Sequence, residues 1–141
     1  MKRSIFFLIA ALAILLSACG SRQGLTVSDA WARPGNAGGN SAVYFTVTPG
    51  SEADTLLSAG SGAAMMVELH KSQMGADGTM MMAPQENVPI PAGEKVAFEP
   101  GGLHVMLMGL KNDLNVGETF QVTLKFAKAG DVTVEAAVRE P

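Results

Sequence analysis

Phe120-Gln121-Val122-Thr123-Leu124-Lys125-Phe126 alternates apolar and polar side chains at every step. A period of two puts one set of side chains in a core and the other in water, which is the pattern of a half-buried strand, and the aromatic and β-branched content suits a pleated surface. Similar runs recur outward from it. Candidate strands are Thr26–Ala32, Ala42–Thr48, Thr55–Ser61, Met65–Met74, Thr79–Ala83, Lys95–Glu99, Leu103–Gly109, Thr119–Phe126 and Val132–Val138, most of them separated by Gly, Pro, Asn or Asp clusters. No segment carries a helical apolar period. Short strands at this spacing predict an all-β chain, an antiparallel sandwich or barrel.

Two of these strands are joined by Gly75-Ala76-Asp77-Gly78. A three-residue loop with Gly78 left-handed would pair Gly75 with Thr79, Met74 with Met80 and Ser72 with Met82. His70, Met74, Met80 and Met82 would then share a face. A two-residue loop would instead bring Met81 to the His70 face, and the residues alone leave both registers open.

The chain has two histidines, and both stand near methionines in an array of His70, Met82, His104 and Met106. His104 and Met106 are one residue apart, so on a strand they project to the same side, with Met108 continuing the row. Imidazole nitrogen and thioether sulfur are neutral, borderline-to-soft donors that suit Cu(I) far better than Mg²⁺, Ca²⁺ or Mn²⁺. The turn Glu99-Pro100-Gly101-Gly102 predicts that His104 begins its strand near a sandwich edge, where a partner could reach a bound ion. Met65, Met66, Met74, Met80, Met81 and Met108 are expected to pack or to form methionine-rich surface. Trp31 and Tyr44 read as packing aromatics and Arg33 as an exposed strand end.

Lys2 and Arg3 followed by the apolar run from Ile5 to Leu16 read as an export signal, too short for a membrane span. Leu16-Ser17-Ala18-Cys19 resembles the lipobox of bacterial lipoproteins, which makes Cys19 the expected lipid anchor. The expected organisation is a signal peptide over 1–18, a lipidated cysteine and tether over 19–24, and one β-sandwich domain over 25–141. Localisation would be that of an exported lipoprotein, membrane-anchored and facing the periplasm or cell exterior. Without Lys2 and Arg3, eight basic residues face thirteen acidic ones, so nucleic acid is not an expected partner. Cys19 is the one cysteine, so the folded domain has no thiolate for a blue-copper centre, which needs two His and a Cys. No hydrolytic zinc set and no nucleophile–base pair can be assembled without using a histidine of the array, so no enzymatic activity is expected.

From Asp29 onward the chain resembles the periplasmic copper chaperone family PCuAC. The resemblance rests on Ala30-Trp31-Ala32-Arg33, Ala42-Val43-Tyr44-Phe45, Val67-Glu68-Leu69-His70, Ile90-Pro91-Ala92-Gly93, the block from Pro100 through His104 and Met106 to Leu110, and Phe126-Ala127-Lys128-Ala129-Gly130. It implies a cupredoxin-like Greek-key β-sandwich and one Cu(I) per chain. It also implies delivery to a copper acceptor such as cytochrome c oxidase subunit II or an assembly factor. The family pattern, H-x10-M-x21-H-x-M, assigns ligand roles to His70, His104 and Met106. The second ligand divides, because Met81 keeps the spacing from His70 and Met82 keeps the spacing to His104. A residue inserted in the hairpin would favour Met82, with Met81 the alternative. The competing expectations are a copper-buffering or resistance lipoprotein without a dedicated acceptor, and a metal-free β-sandwich interaction module.

Overall fold

The computed structural model describes residues 24–141; Cys19, the signal peptide and most of the tether lie outside them. Ten strands follow in order: β1 Thr26–Ala32, β2 Asn40–Thr48, β3 Asp54–Gly60, β4 Ala64–Met74, β5 Met80–Pro84, β6 Val88–Ile90, β7 Val96–Phe98, β8 Leu103–Leu110, β9 Thr119–Phe126 and β10 Gly130–Val138. Nine match the expected runs to within about two residues at each end, and β6 is the one not foreseen. It has three residues with Pro89 in the middle, too short to show alternation and demoted by its proline.

The strands form one continuous sheet in the order β5-β4-β8-β7-β2-β1-β10-β9-β3-β6, with β8 also pairing β2. The fold is the cupredoxin-like β-sandwich. Its pairings are antiparallel except for two short parallel contacts, β1 with β10 and β7 with β8. The first of these joins the two halves of the sandwich. Val43, Phe45, Val47, Leu69, Val105 and Leu107 from one half meet Leu56, Val122, Leu124, Phe126, Ala136 and Val138 from the other as the buried core. Phe45 stacks on Phe98 with ring centroids 4.3 Å apart. In β9 the opening alternation comes out as expected, with Val122 and Leu124 fully buried and Phe126 nearly so.

A bulge in β1 decides what lies beside the sheet's outer face. Ser28 pairs with Thr46 but Trp31 pairs with Tyr44, so β1 carries one extra residue there, and Asp29 takes φ of 56° to accommodate it. An extra residue reverses which face later side chains occupy. Trp31 is thereby turned outward beside Tyr44 while Ala32 enters the core against Val43.

Candidate metal centre

In β8 the alternation separates two jobs. Val105 and Leu107 are fully buried in the core, while His104, Met106 and Met108 take the other face. The neighbours across the ladders fill out that face: Ala42 of β2 lies opposite Met106, and Glu68 and His70 of β4 lie opposite Met106 and His104. The two imidazoles are thus direct cross-strand partners, with ring centroids 5.8 Å apart. His104 is 3% exposed. It stands at the start of its strand beside the Glu99–Gly102 turn, as expected, although its ring is sheltered there.

The hairpin between β4 and β5 takes the three-residue register. Gly75 N–H donates to the Thr79 carbonyl at 2.7 Å, Gly78 N–H donates to the Gly75 carbonyl at 3.0 Å, and Gly78 has φ of 80°. Asp77 locks the turn by accepting from Thr79 N–H at 3.1 Å and from the Thr79 hydroxyl at 2.6 Å. Met74 consequently faces Met80, Ser72 faces Met82 and His70 faces Pro84, all on one side. Met81 lies opposite Gln73 and points to the other side. Met82, Met80, His104, Met106, Tyr44 and Arg33 all line one cavity of about 300 Å³, which His70 adjoins through its pairing with His104.

Both rings are held in a defined orientation by one nitrogen each. His70 Nε2–H donates to Glu68 Oε2 at 2.9 Å, and His104 Nδ1–H donates to the Gly102 carbonyl at 3.1 Å. The remaining nitrogens, His70 Nδ1 and His104 Nε2, are buried and have no hydrogen-bond partner among the described residues. A buried unpaired polar atom costs about 1–3 kcal/mol, so it persists where something else is to be bound. A carboxylate or carbonyl on one ring nitrogen with a bare lone pair on the other is the usual preparation of a metal-binding histidine, since it fixes the tautomer and raises donor strength. Among the described residues no three His, Cys, Asp or Glu cluster as a metal-holding group. What the face offers is nitrogen and sulfur, and that donor set fits a soft monovalent ion.

Electrostatics keep His104 neutral. Burial pushes its pKa below the ordinary histidine value, the bond to the Gly102 carbonyl opposes that, and His70 and the Arg33 charge push it further down. Arg33 also stacks over Tyr44 at 5.8 Å, Tyr44 packs on Trp31 at 4.6 Å, and Arg139 covers Trp31 at 4.6 Å. Burial, countered by the Arg33 charge, holds the Tyr44 phenol above its usual range, so it stays protonated. Sequence reading gave Trp31, Tyr44 and Arg33 no part in the chemistry, yet Tyr44 and Arg33 wall the cavity and Trp31 supports Tyr44. Glu68 was also missed as an orienting group. Its signal was present, because it stands two residues before His70 and so shares that face.

A family model described as "Putative lipoprotein LpqE-like" matches residues 25–138. A "Putative lipoprotein" from Leifsonia xyli subsp. xyli is 32% identical over 118 residues, covering 84% of this chain and 71% of that protein. Among solved structures, the copper-bound PCuAC domain from PmoF2 aligns with a TM-score of 0.69 at 28% identity, covering 83% of this chain and 93% of the domain. The Cu(I) form of DR1885 from Deinococcus radiodurans aligns with a TM-score of 0.61 at 31% identity, over 85% of this chain and 83% of that one. With the family model spanning the whole sandwich and these domains sharing its fold, the chain belongs to the PCuAC family, the LpqE-like lipoproteins among them.

Proposed function

We propose that this protein is an extracytoplasmic Cu(I) chaperone, not an enzyme, which holds one Cu(I) through His70, Met82, His104 and Met106 and passes it to a copper acceptor protein. The observation that carries this reading is the pair of buried ring nitrogens, His70 Nδ1 and His104 Nε2, left without partners on facing strands while their other nitrogens are bonded. The copper-bound PmoF2 domain and the Cu(I) form of DR1885 support the identity of the cargo. The lipoprotein names of the family and of the Leifsonia relative support an exported chain anchored at the membrane through a lipid on Cys19.

Copper(I) prefers soft, neutral donors and low coordination numbers, and it leaves a thioether site readily by ligand exchange. The protein's own residues prepare for that exchange. Glu68 and the Gly102 carbonyl keep the two rings aimed and in one tautomer, so the ring nitrogens need lose no proton when the ion arrives. Tyr44 and Arg33 wall one side of the cavity. Met82 is 60% exposed on the hairpin and is therefore the donor an incoming acceptor meets first. Met82 is favoured over Met81 by the hairpin register. Methionine and histidine cannot be lost to disulfide formation in an oxidising compartment, although thioethers can be oxidised to sulfoxides. By family resemblance the acceptor is cytochrome c oxidase subunit II or an assembly factor.

Anaerobic Cu(I) competition titration tests the site. One tight equivalent is expected, lost in His104→Ala, weakened in Met82→Leu and retained in Met81→Leu. Absence of competitive binding by the unsubstituted protein would end the copper reading. Stopped-flow transfer to the copper-binding domain of an oxidase subunit II tests the chaperone role, because transfer must outrun spontaneous release of the ion; transfer no faster than release would leave a buffer.

A further inference from the structure

We propose that Met74, Met80 and Met82 form a second, thioether-only site for Cu(I) on the β4–β5 hairpin, sharing Met82 with the His/Met set. The observation is their register. Met74 and Met80 are direct cross-strand partners, and Met82, opposite Ser72, is the next residue on the same face. The bonds from Gly75 N–H to Thr79 and from Gln85 N–H to Leu69 fix which pairs are hydrogen-bonded, and Met74–Met80 falls between them. In such non-bonded pairs the Cα atoms approach to about 4.5 Å, and diagonal neighbours lie within about 7–8 Å, distances that flexible thioether arms span.

Packing does not account for these residues. Met74 is 67% exposed, Met80 57% and Met82 60%, so none of them fills the core. The hairpin keeps three large apolar side chains in water on the one face it shares with His70, and Met80 and Met82 line the same cavity as His104 and Met106. The carboxylate in the adjoining turn, Asp77, is occupied by Thr79. What remains is a cluster of neutral sulfur donors, a set selective for soft monovalent ions. Exchange between the two sets requires no redox change and no proton transfer: bonds to Met74 and Met80 sulfur break as bonds to the unprotonated ring nitrogens form, with Met82 retained throughout. That exchange step rests on the His/Met reading above, whereas the thioether site itself does not.

The test uses Ag(I), a redox-inert soft probe of the same charge, added to the full chain in detergent with Cys19→Ser so that no thiol competes. The readout is the ε-methyl NMR signal of each methionine. The first equivalent is expected to shift Met82 and Met106, and the second to shift Met74 and Met80, which hold it as a cross-strand pair while Met82 stays with the first ion. Met74→Leu/Met80→Leu should lose the second step and keep the first. In His70→Ala/His104→Ala, Ag(I) should still shift Met74, Met80 and Met82. Unmoved Met74 and Met80 signals, or a second equivalent that goes to Met65, Met66 or Met108, would overturn the proposal. A response at Met74 and Met80 with none at Met106 would uphold it and defeat the His/Met reading instead.

Discussion

Asp54 and His104 are both nearly buried, 9% and 3% exposed, yet they are treated in opposite ways. Asp54 accepts from Thr55 N–H at 2.7 Å and Lys128 N–H at 2.9 Å through one oxygen and from Ala129 N–H at 2.8 Å through the other. It clasps the start of β3 to the turn between β9 and β10, and its polar capacity is used up inside the protein. His104 spends one nitrogen on the Gly102 carbonyl and leaves the other bare. The fold thus tolerates an unsatisfied buried group in one place and not the other. The difference separates a polar group whose hydrogen-bonding capacity is met inside the protein from one that keeps a bare lone pair.

Substituting each in turn should break that symmetry. His104→Leu is expected to lower Cu(I) affinity at least about 100-fold, more than removal of a residue that only orients a ligand. The same change removes an unpartnered nitrogen, so apo stability in urea should hold or rise by about 1 kcal/mol. A loss of stability as large as that of the aspartate variant would refute the distinction. Asp54→Ala should do the reverse. Three N–H groups lose their acceptor, costing about 2 kcal/mol in urea unfolding, while the Cu(I) titration stays as in the unsubstituted protein.

Glu68 lies between these extremes. Its carboxylate aims His70 but is 43% exposed, so its pairing should contribute little to stability. Glu68→Ala is expected to weaken Cu(I) binding about tenfold, with Glu68→Gln closer to the unsubstituted protein because the amide oxygen still accepts from Nε2. Equal affinity in all three would mean that the His70–Glu68 contact orients nothing.

The strands were legible because period-two alternation survives wherever one face is buried, and β9 shows it without interruption. The shared face of His104 and Met106 was legible for the same reason, since residues two apart on a strand project to one side whatever surrounds them. What escaped depends on non-local geometry. β6 is too short to show a period, and Trp31 faces outward only because Asp29 adds a residue to β1. The sheltering of His104 comes from strand order, which no local pattern encodes. The hairpin register stood open between Met81 and Met82 until the bond from Gly75 N–H to the Thr79 carbonyl chose the three-residue loop.

Acid sharpens the contrast with the smallest effect. Burial alone would raise the Asp54 pKa, but backbone N–H groups of Lys128, Thr55 and Ala129, with the Lys128 charge, outweigh it and hold the carboxyl below its usual range. Its contribution is therefore complete above about pH 4 and is lost only as pH falls through the lowered folded value. His104 has the opposite protonic character with the same direction of shift: the folded protein holds its ring neutral, mainly by burial, below the unfolded value near about 6.5. Under that pH the unfolded chain takes up a proton that the folded chain refuses, so stability falls with pH at no more than about 1.4 kcal/mol per unit for one proton. Between pH 7 and 5 the urea midpoint of the apo protein should therefore decline more steeply in the unsubstituted chain than in His104→Leu, while Asp54→Ala changes its height and not its slope. Cu(I) affinity should decline across the same interval, because a protonated imidazole has no lone pair to give. An affinity and a midpoint both flat from pH 7 to 5 would leave the bare nitrogen of His104 without a role.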